Sequence, residues 1–250
     1  MKLLALFLTG YLAMGALLTL FQRQLIYLPS PLDPPSLPSE WVDTAWGRVQ
    51  VHPLNPDRAR ALLYFGGNAE LVGWSGAELA AALPDHTLYL VNYPGYGHSE
   101  GSPSQASLVG AAVAVFDVVA PRHQQVGAIG RSLGSAVVVQ LADQRPLARL
   151  ALVTPFDSIT ALAQQQMPIY PVTWLVKDPF DNLAVAPELT QPRLVVLARW
   201  DQVIPKARSQ ALIQALEPAG LTVVELPQAD HNTLSRYPEY FTALASFFAP

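Results

Sequence analysis

Six short apolar and β-branched runs recur along the chain, and between most of them lie ten or more residues of helical character. They read "ALLYF" (61 to 65), "HTLYLVNY" (86 to 93), "QVGAI" (125 to 129), "RLALV" (149 to 153), "RLVVLA" (193 to 198) and "LTVVEL" (221 to 226). A strand followed by a helix and another strand returns by a right-handed crossover, which pairs the strands in parallel. The pattern therefore predicts an α/β fold with a mostly parallel, doubly wound sheet covered by helices on both faces. A chain of 250 residues supports one sizeable core of this kind. Within it, "SPSQ" at Ser102 to Gln105 offers an N-cap, a proline at the first helical position and a reciprocal glutamine. A helix from about Pro103 to Val119 is expected to follow.

Two segments stand outside this alternation. Residues 3–21 form an uncharged apolar stretch bracketed by Lys2 and Arg23. As a helix it would be about 28 Å long, close to the hydrocarbon thickness of a bilayer. No small-x-small cleavage site follows, which favours a retained membrane anchor over a cleaved signal peptide. Lys2 and the α-amine, against a lone Arg23, orient the N-terminus inward and the main domain outside the cytoplasm. The five prolines from Pro29 to Pro38 read as a stiff spacer. The expected organisation is an anchor over 1–23, a linker over 24–40 and a catalytic-type domain over 41–250. The second exception is an insert at about 155–192, with six prolines and Phe156, Tyr170, Trp174 and Phe180. Long proline-broken inserts between strands are usually functional excursions, and this one is read as a substrate-facing cap.

Composition removes several functions. A net charge of −4 with no basic stripe argues against a nucleic-acid partner. The absence of cysteine excludes disulfides and thiolate metal sites, and His52, His86, His98, His123 and His231 lack metal-ligand spacing. Neither a metal nor an organic cofactor is expected. Apolar residues make up 51% of the chain and charged residues only 14%, which suggests contact with lipid or a lipid-like ligand.

Ligands of open parallel sheets bind beyond the carboxyl ends of the strands. Three chemically apt residues lie there in order: Ser132 in "GRSLGS", Asp201 in "RWDQVIP" and His231 in "ADHN". Glycines around a serine also suit a helix cap, but the order serine, acid, histidine on successive strands favours a nucleophile elbow, G-x-S-x-G. An imidazole at His231 would accept the serine proton, and Asp201 would fix the ring tautomer. Asp157, Asp178 and Asp181 lie away from a strand end and are weaker candidates for the acid. His98 reads as a solvated loop residue, Asp230 as a turn cap, and Glu70 and Glu100 as surface groups near helix starts.

"FGGNAE" (65 to 70), "NYPGYGHSEG" (92 to 101), "GRSLGS", "RWDQVIP" and "ADHN" occur in one order, and with them residues 45 to 250 resemble the α/β-hydrolase superfamily. The chain looks in particular like its membrane-anchored serine hydrolases, which act as esterases, lysophospholipases and acyl-protein thioesterases. The resemblance implies an oxyanion hole built from the backbone amides of Asn68 and Leu133. Where many relatives read His-Gly-Asn, this chain has Gly66, Gly67 and Asn68. The activity implied is cleavage of an ester or thioester of an apolar acyl group, from a small-molecule or lipid substrate. An aminopeptidase-like peptidase is the alternative, with Asp157, Asp178, Asp181 and Glu188 available to hold an amine. A silent membrane-tethered scaffold is the third reading.

Overall fold

The computed structural model describes residues 2–29, 37–216 and 219–249. The N-terminal apolar stretch forms α1 (Lys2–Ile26), which ends three residues beyond the expected anchor. Two strands that the alternation pattern did not announce then form a hairpin, β1 (Glu40–Thr44) and β2 (Gly47–Leu54). The alternating core follows as β3 (Arg60–Phe65), α2 (Val72–Ala82), β4 (His86–Val91), α3 (Gln105–Val119), β5 (Gln125–Arg131) and α4 (Leu133–Gln144). After β6 (Leu150–Val153) comes the insert, with α5 (Ile159–Gln166) and α6 (Val172–Leu175). The chain ends with β7 (Arg193–Ala198), α7 (Lys206–Ala215), β8 (Leu221–Leu226) and α8 (Pro238–Phe248).

Among the described residues eight strands make one sheet in the order β1-β2-β4-β3-β5-β6-β7-β8. The β1–β2 and β2–β4 pairs are antiparallel and the other five pairs are parallel. Two faces must be covered, and strand alternation divides the side chains between them. Leu63 and Phe65 of β3 share one core with Leu108, Ala112 and Val115 of α3 and Val137 of α4. Leu62 and Tyr64 of the same strand share the other with Leu79 of α2 and Leu244 of α8.

Two local expectations are corrected. Helix α3 is capped by Ser104, whose hydroxyl accepts from the Ser107 amide at 3.1 Å while the Ser107 hydroxyl accepts from the Ser104 amide at 2.8 Å. Serine thus closes the capping box two residues later than expected, and Gln105 instead accepts from the Phe180 amide at 2.8 Å. The start of the presumed linker is also not a spacer. Residues 24–26 remain helical, and Tyr27 is 2% exposed within the core that α3 and α4 cover. Residues 30–36 of the proline-rich stretch lie outside the described residues.

Candidate active site

The turn from β5 into α4 is tight enough to force unusual backbone. Ser132 adopts φ 50° and ψ −112°, a strained conformation for a residue with a side chain. The turn closes because its neighbours are small. A Cβ on Gly130 would run into the Gly134 carbonyl, and one on Gly134 would run into the Phe65 carbonyl. Ser135 pins the elbow from below, its hydroxyl donating to the Ser132 carbonyl at 2.6 Å and its amide to the same oxygen at 2.9 Å.

The three residues singled out by strand order meet here. His231 Nε2 lies 3.1 Å from Ser132 Oγ, and His231 Nδ1 lies 2.8 Å from Asp201 Oδ2. The other carboxylate oxygen of Asp201 accepts the amides of Val203 and Ile204 at 2.9 and 2.7 Å. With one oxygen held by the loop's own backbone, the carboxylate presents the other to the imidazole in a fixed direction. All three residues are largely shielded from solvent, which strengthens these hydrogen bonds.

The two amides expected to form an oxyanion hole flank this serine. Leu133 is the first residue of α4, where a helix leaves its amides without intrahelical acceptors. Asn68 lies in the loop after β3, and Gly67 beside it would place a Cβ 3.7 Å from the Ser132 Cβ, so a side chain at 67 would crowd Ser132. Among the described residues, neither the Asn68 nor the Leu133 amide donates to a protein acceptor. The Asn68 side chain is occupied elsewhere. It donates to the Ile26 carbonyl at 2.6 Å and accepts from the Leu28 amide and the Tyr96 hydroxyl, both at 2.8 Å. The loop is thereby tied to the chain leaving α1.

Glu70 is not a surface group. Its carboxylate accepts from the Tyr64 hydroxyl (2.6 Å), the Ser75 hydroxyl (2.7 Å) and the Gly67 amide (2.7 Å), and pairs with Arg131 at 3.3 Å. Arg131 continues the network to the His231 carbonyl at 3.1 Å. Burial pushes the Tyr64 phenol well above its ordinary pKa, which keeps it a donor to the carboxylate. Glu70 and Arg131 thus join the loop after β3 to the loop that carries His231, behind the serine. The sequence held a signal for this: Arg131 is a lone cation ending an apolar strand, and a guanidinium buried there needs acceptors on the neighbouring loops.

The rival residues have other partners. Asp157 pairs with Arg208 at 3.0 Å and Asp178 with Arg23 at 2.8 Å, both carboxylates being nearly inaccessible. Burial raises the Asp157 carboxyl above the usual range despite that arginine. Asp181 accepts from the Ala184 amide, His98 is exposed, and Glu100 pairs with Arg48 at the surface. Asp230 accepts from the Asn232 amide at 2.8 Å, a bond that holds its carboxyl below the usual value. Among the described residues no three histidine, aspartate or glutamate side chains converge as metal ligands.

No protein-family model matches the chain. It is 32% identical over 231 residues to an uncharacterized protein of Mycobacterium tuberculosis, an alignment covering 84% of this chain and 80% of the relative. It is 26% identical over 257 residues to the alpha/beta hydrolase domain-containing protein WAV2 of Arabidopsis thaliana, covering 86% of this chain and 83% of that protein. Among solved structures, the esterase Pf2001 of Pyrococcus furiosus superposes with a TM-score of 0.71 at 12% identity, covering 88% of this chain and 97% of that one. From the ordered motifs, the parallel sheet and these relatives together, the chain belongs to the α/β-hydrolase superfamily.

Proposed function

We propose that the protein is a serine hydrolase, held at a membrane by α1, that cleaves carboxylic ester or thioester bonds of apolar acyl substrates. The observation that carries this reading is the relay from Asp201 through His231 to Ser132 at a strained elbow. As Ser132 Oγ attacks the acyl carbon, its proton passes to His231 Nε2, and Asp201 stabilises the resulting imidazolium. The carbonyl oxygen takes up negative charge, which the Asn68 and Leu133 amides would stabilise by about 3 kcal/mol each. Collapse breaks the acyl C–O or C–S bond, and the leaving group takes the proton from His231. Water, deprotonated by the same imidazole, then attacks the acyl-serine and releases the acid.

An apolar groove lies between α1 and the cap and reaches Ile26, whose carbonyl holds the Asn68 side chain, and it is the candidate place for an acyl chain. Gly15, Leu18, Leu25, Met167, Val172 and Val176 line it. The polar side chains on its wall are satisfied internally: Thr19 donates to the Gly15 carbonyl, and Gln22 bonds the backbone of Thr19, Leu175 and Lys177. The peptidase alternative needs a free carboxylate for a substrate amine; arginines engage Asp157 and Asp178, which leaves it only Asp181 and Glu188 on the exposed surface of the insert.

The test is hydrolysis of p-nitrophenyl esters of graded chain length, with fluorophosphonate labelling, by the full chain and by Ser132→Ala. Turnover and labelling that vanish in Ser132→Ala, with a preference for longer acyl chains, are expected. Turnover that survives the substitution, or none toward any ester together with no labelling, rejects the reading.

A further inference from the structure

The contact between α1 and the cap sets a limit on how this protein meets a bilayer. Tyr11 stacks on Tyr170 of the cap with ring centroids 4.7 Å apart, and its hydroxyl donates to the Ile169 carbonyl at 2.9 Å. From there to Ile26 the helix lies along the cap: a Cβ on Gly15 would meet the Tyr170 ring at 3.0 Å, Gln22 bonds residues 175 and 177, and Arg23 pairs with Asp178. At 1.5 Å per residue, Tyr11 is about 22 Å from the Ile26 end, and only about 14 Å of helix stands clear beyond it. A hydrocarbon core is about 30 Å thick. A helix inserted while docked in this way therefore carries the cap into the membrane with it.

The rest of the surface agrees. Outside α1, the large apolar side chains more than half exposed among the described residues are Leu28, Trp74, Ile169, Trp174, Trp200 and Val203, with Trp174 at 86%. Each belongs to the carboxyl end of the sheet. Leu28 is tied to the loop after β3, Trp74 is in the first turn of α2, Ile169 and Trp174 are in the cap, and Trp200 and Val203 flank Asp201. Exposed apolar groups gathered on one end mark an interaction surface, and tryptophan concentrates where hydrocarbon meets headgroups. The Arg199 guanidinium lies over the Trp200 ring at 5.9 Å, joining a charge to an apolar face as such a boundary requires.

We propose that the carboxyl end of the sheet rests on the bilayer, with the cap tip at Ile169 and Trp174 immersed beside α1 in one leaflet and Trp74, Trp200 and Val203 at headgroup level. The proposal rests on the reading of α1 as a membrane helix. It goes beyond anchoring, because it places the mouth of the Ser132 site at the lipid surface. Docking is by apolar insertion, since the chain carries a net charge of −4, and a zwitterionic bilayer suffices.

The chain has no cysteine, so a single introduced thiol reports its own position. The full chain is reconstituted in phosphatidylcholine vesicles as Leu8→Cys, Ile169→Cys, Trp174→Cys, Val203→Cys or Gln124→Cys, the last at the amino end of β5. Each is labelled with nitrobenzoxadiazole, and spin-labelled phosphatidylcholines serve as quenchers. Labels at 8, 169 and 174 are expected to shift to the blue and lose several-fold in emission to acyl-chain quenchers. The label at 203 should respond to headgroup quenchers and the label at 124 to neither, equally at about 0.1 M and about 1 M NaCl. A quenched label at 8 with water-like labels at 169 and 174 would mean that the domain stands clear of the membrane and overturns the proposal. So do an unquenched label at 8, a response lost in high salt, or a blue shift that follows protein concentration instead of lipid, which assigns the face to a second copy. Fluorophosphonate labelling of Ser132 in the same samples reports folding and the hydrolase reading separately, because the probe positions do not depend on turnover.

Discussion

At the amino end of the sheet, Arg193 is 1% exposed and its guanidinium donates to the carbonyls of Leu189, Gln191 and Ala219, closing the turns that lead into β7 and β8. At the carboxyl end, Arg131 is also mostly buried, but it reaches a carboxylate on one loop and a carbonyl on another, with Ser132 between them. The first arginine satisfies groups that would otherwise be stranded. The second holds two loops at a distance set by its own length. Burial of the same side chain thus serves stability at one end and positioning at the other, and substitutions should separate the two.

The largest effect is expected from Ser132→Ala, which should lower kcat by about 10⁶-fold while leaving the melting temperature unchanged or higher; single-turnover kinetics and calorimetry read the two. Glu70→Gln and Arg131→Met loosen the link between the loop after β3 and the loop that carries His231. Each should lower kcat by about 10²-fold with little change in KM, since small misplacement of reacting groups is costly. If both parameters moved together with the melting temperature, Arg131 would be no different from Arg193. Arg193→Met should do the opposite, removing about 2 kcal/mol of stability in urea denaturation by leaving buried carbonyls unpaired, with kcat per folded molecule unchanged. The last effect is confined to acid pH and concerns His86 at the start of β4. Burial, with Arg60 nearby, pulls its imidazole down to about 4 from an ordinary 6.5. The unfolded chain therefore binds a proton between those values that the fold does not, and stability should fall as the pH drops from 6.5 through 4. His86→Asn should flatten that slope when the urea midpoint is followed against pH, while the pH dependence of kcat stays as it was.

The parallel core and the meeting of Ser132, Asp201 and His231 were legible because both rest on local signals: short apolar runs, and polar residues just past them. The β1–β2 hairpin was not, because β1 has only one buried residue, Val42, and pairs outward from an antiparallel neighbour. Glu70 was misread for a physical reason as well. An acidic residue near a helix start ordinarily complements the dipole, and only the fold brings Arg131, sixty-one positions away, against it. Likewise Tyr11, Gln22 and Arg23 in a mostly apolar helix read equally as membrane-boundary residues, so the docking of α1 on Tyr170 and Asp178 was hidden in the sequence.

The backbone at Ser132 has one more consequence. Its positive φ is a conformation glycine adopts freely and serine adopts only under constraint, at a cost of order 1–3 kcal/mol. A lineage that kept this architecture but had no use for a hydroxyl there would drift toward glycine and gain stability by it. On the proposed function, the strained torsion at 132 is the cost of presenting a hydroxyl there, and Ser132→Gly is expected to melt higher while losing turnover.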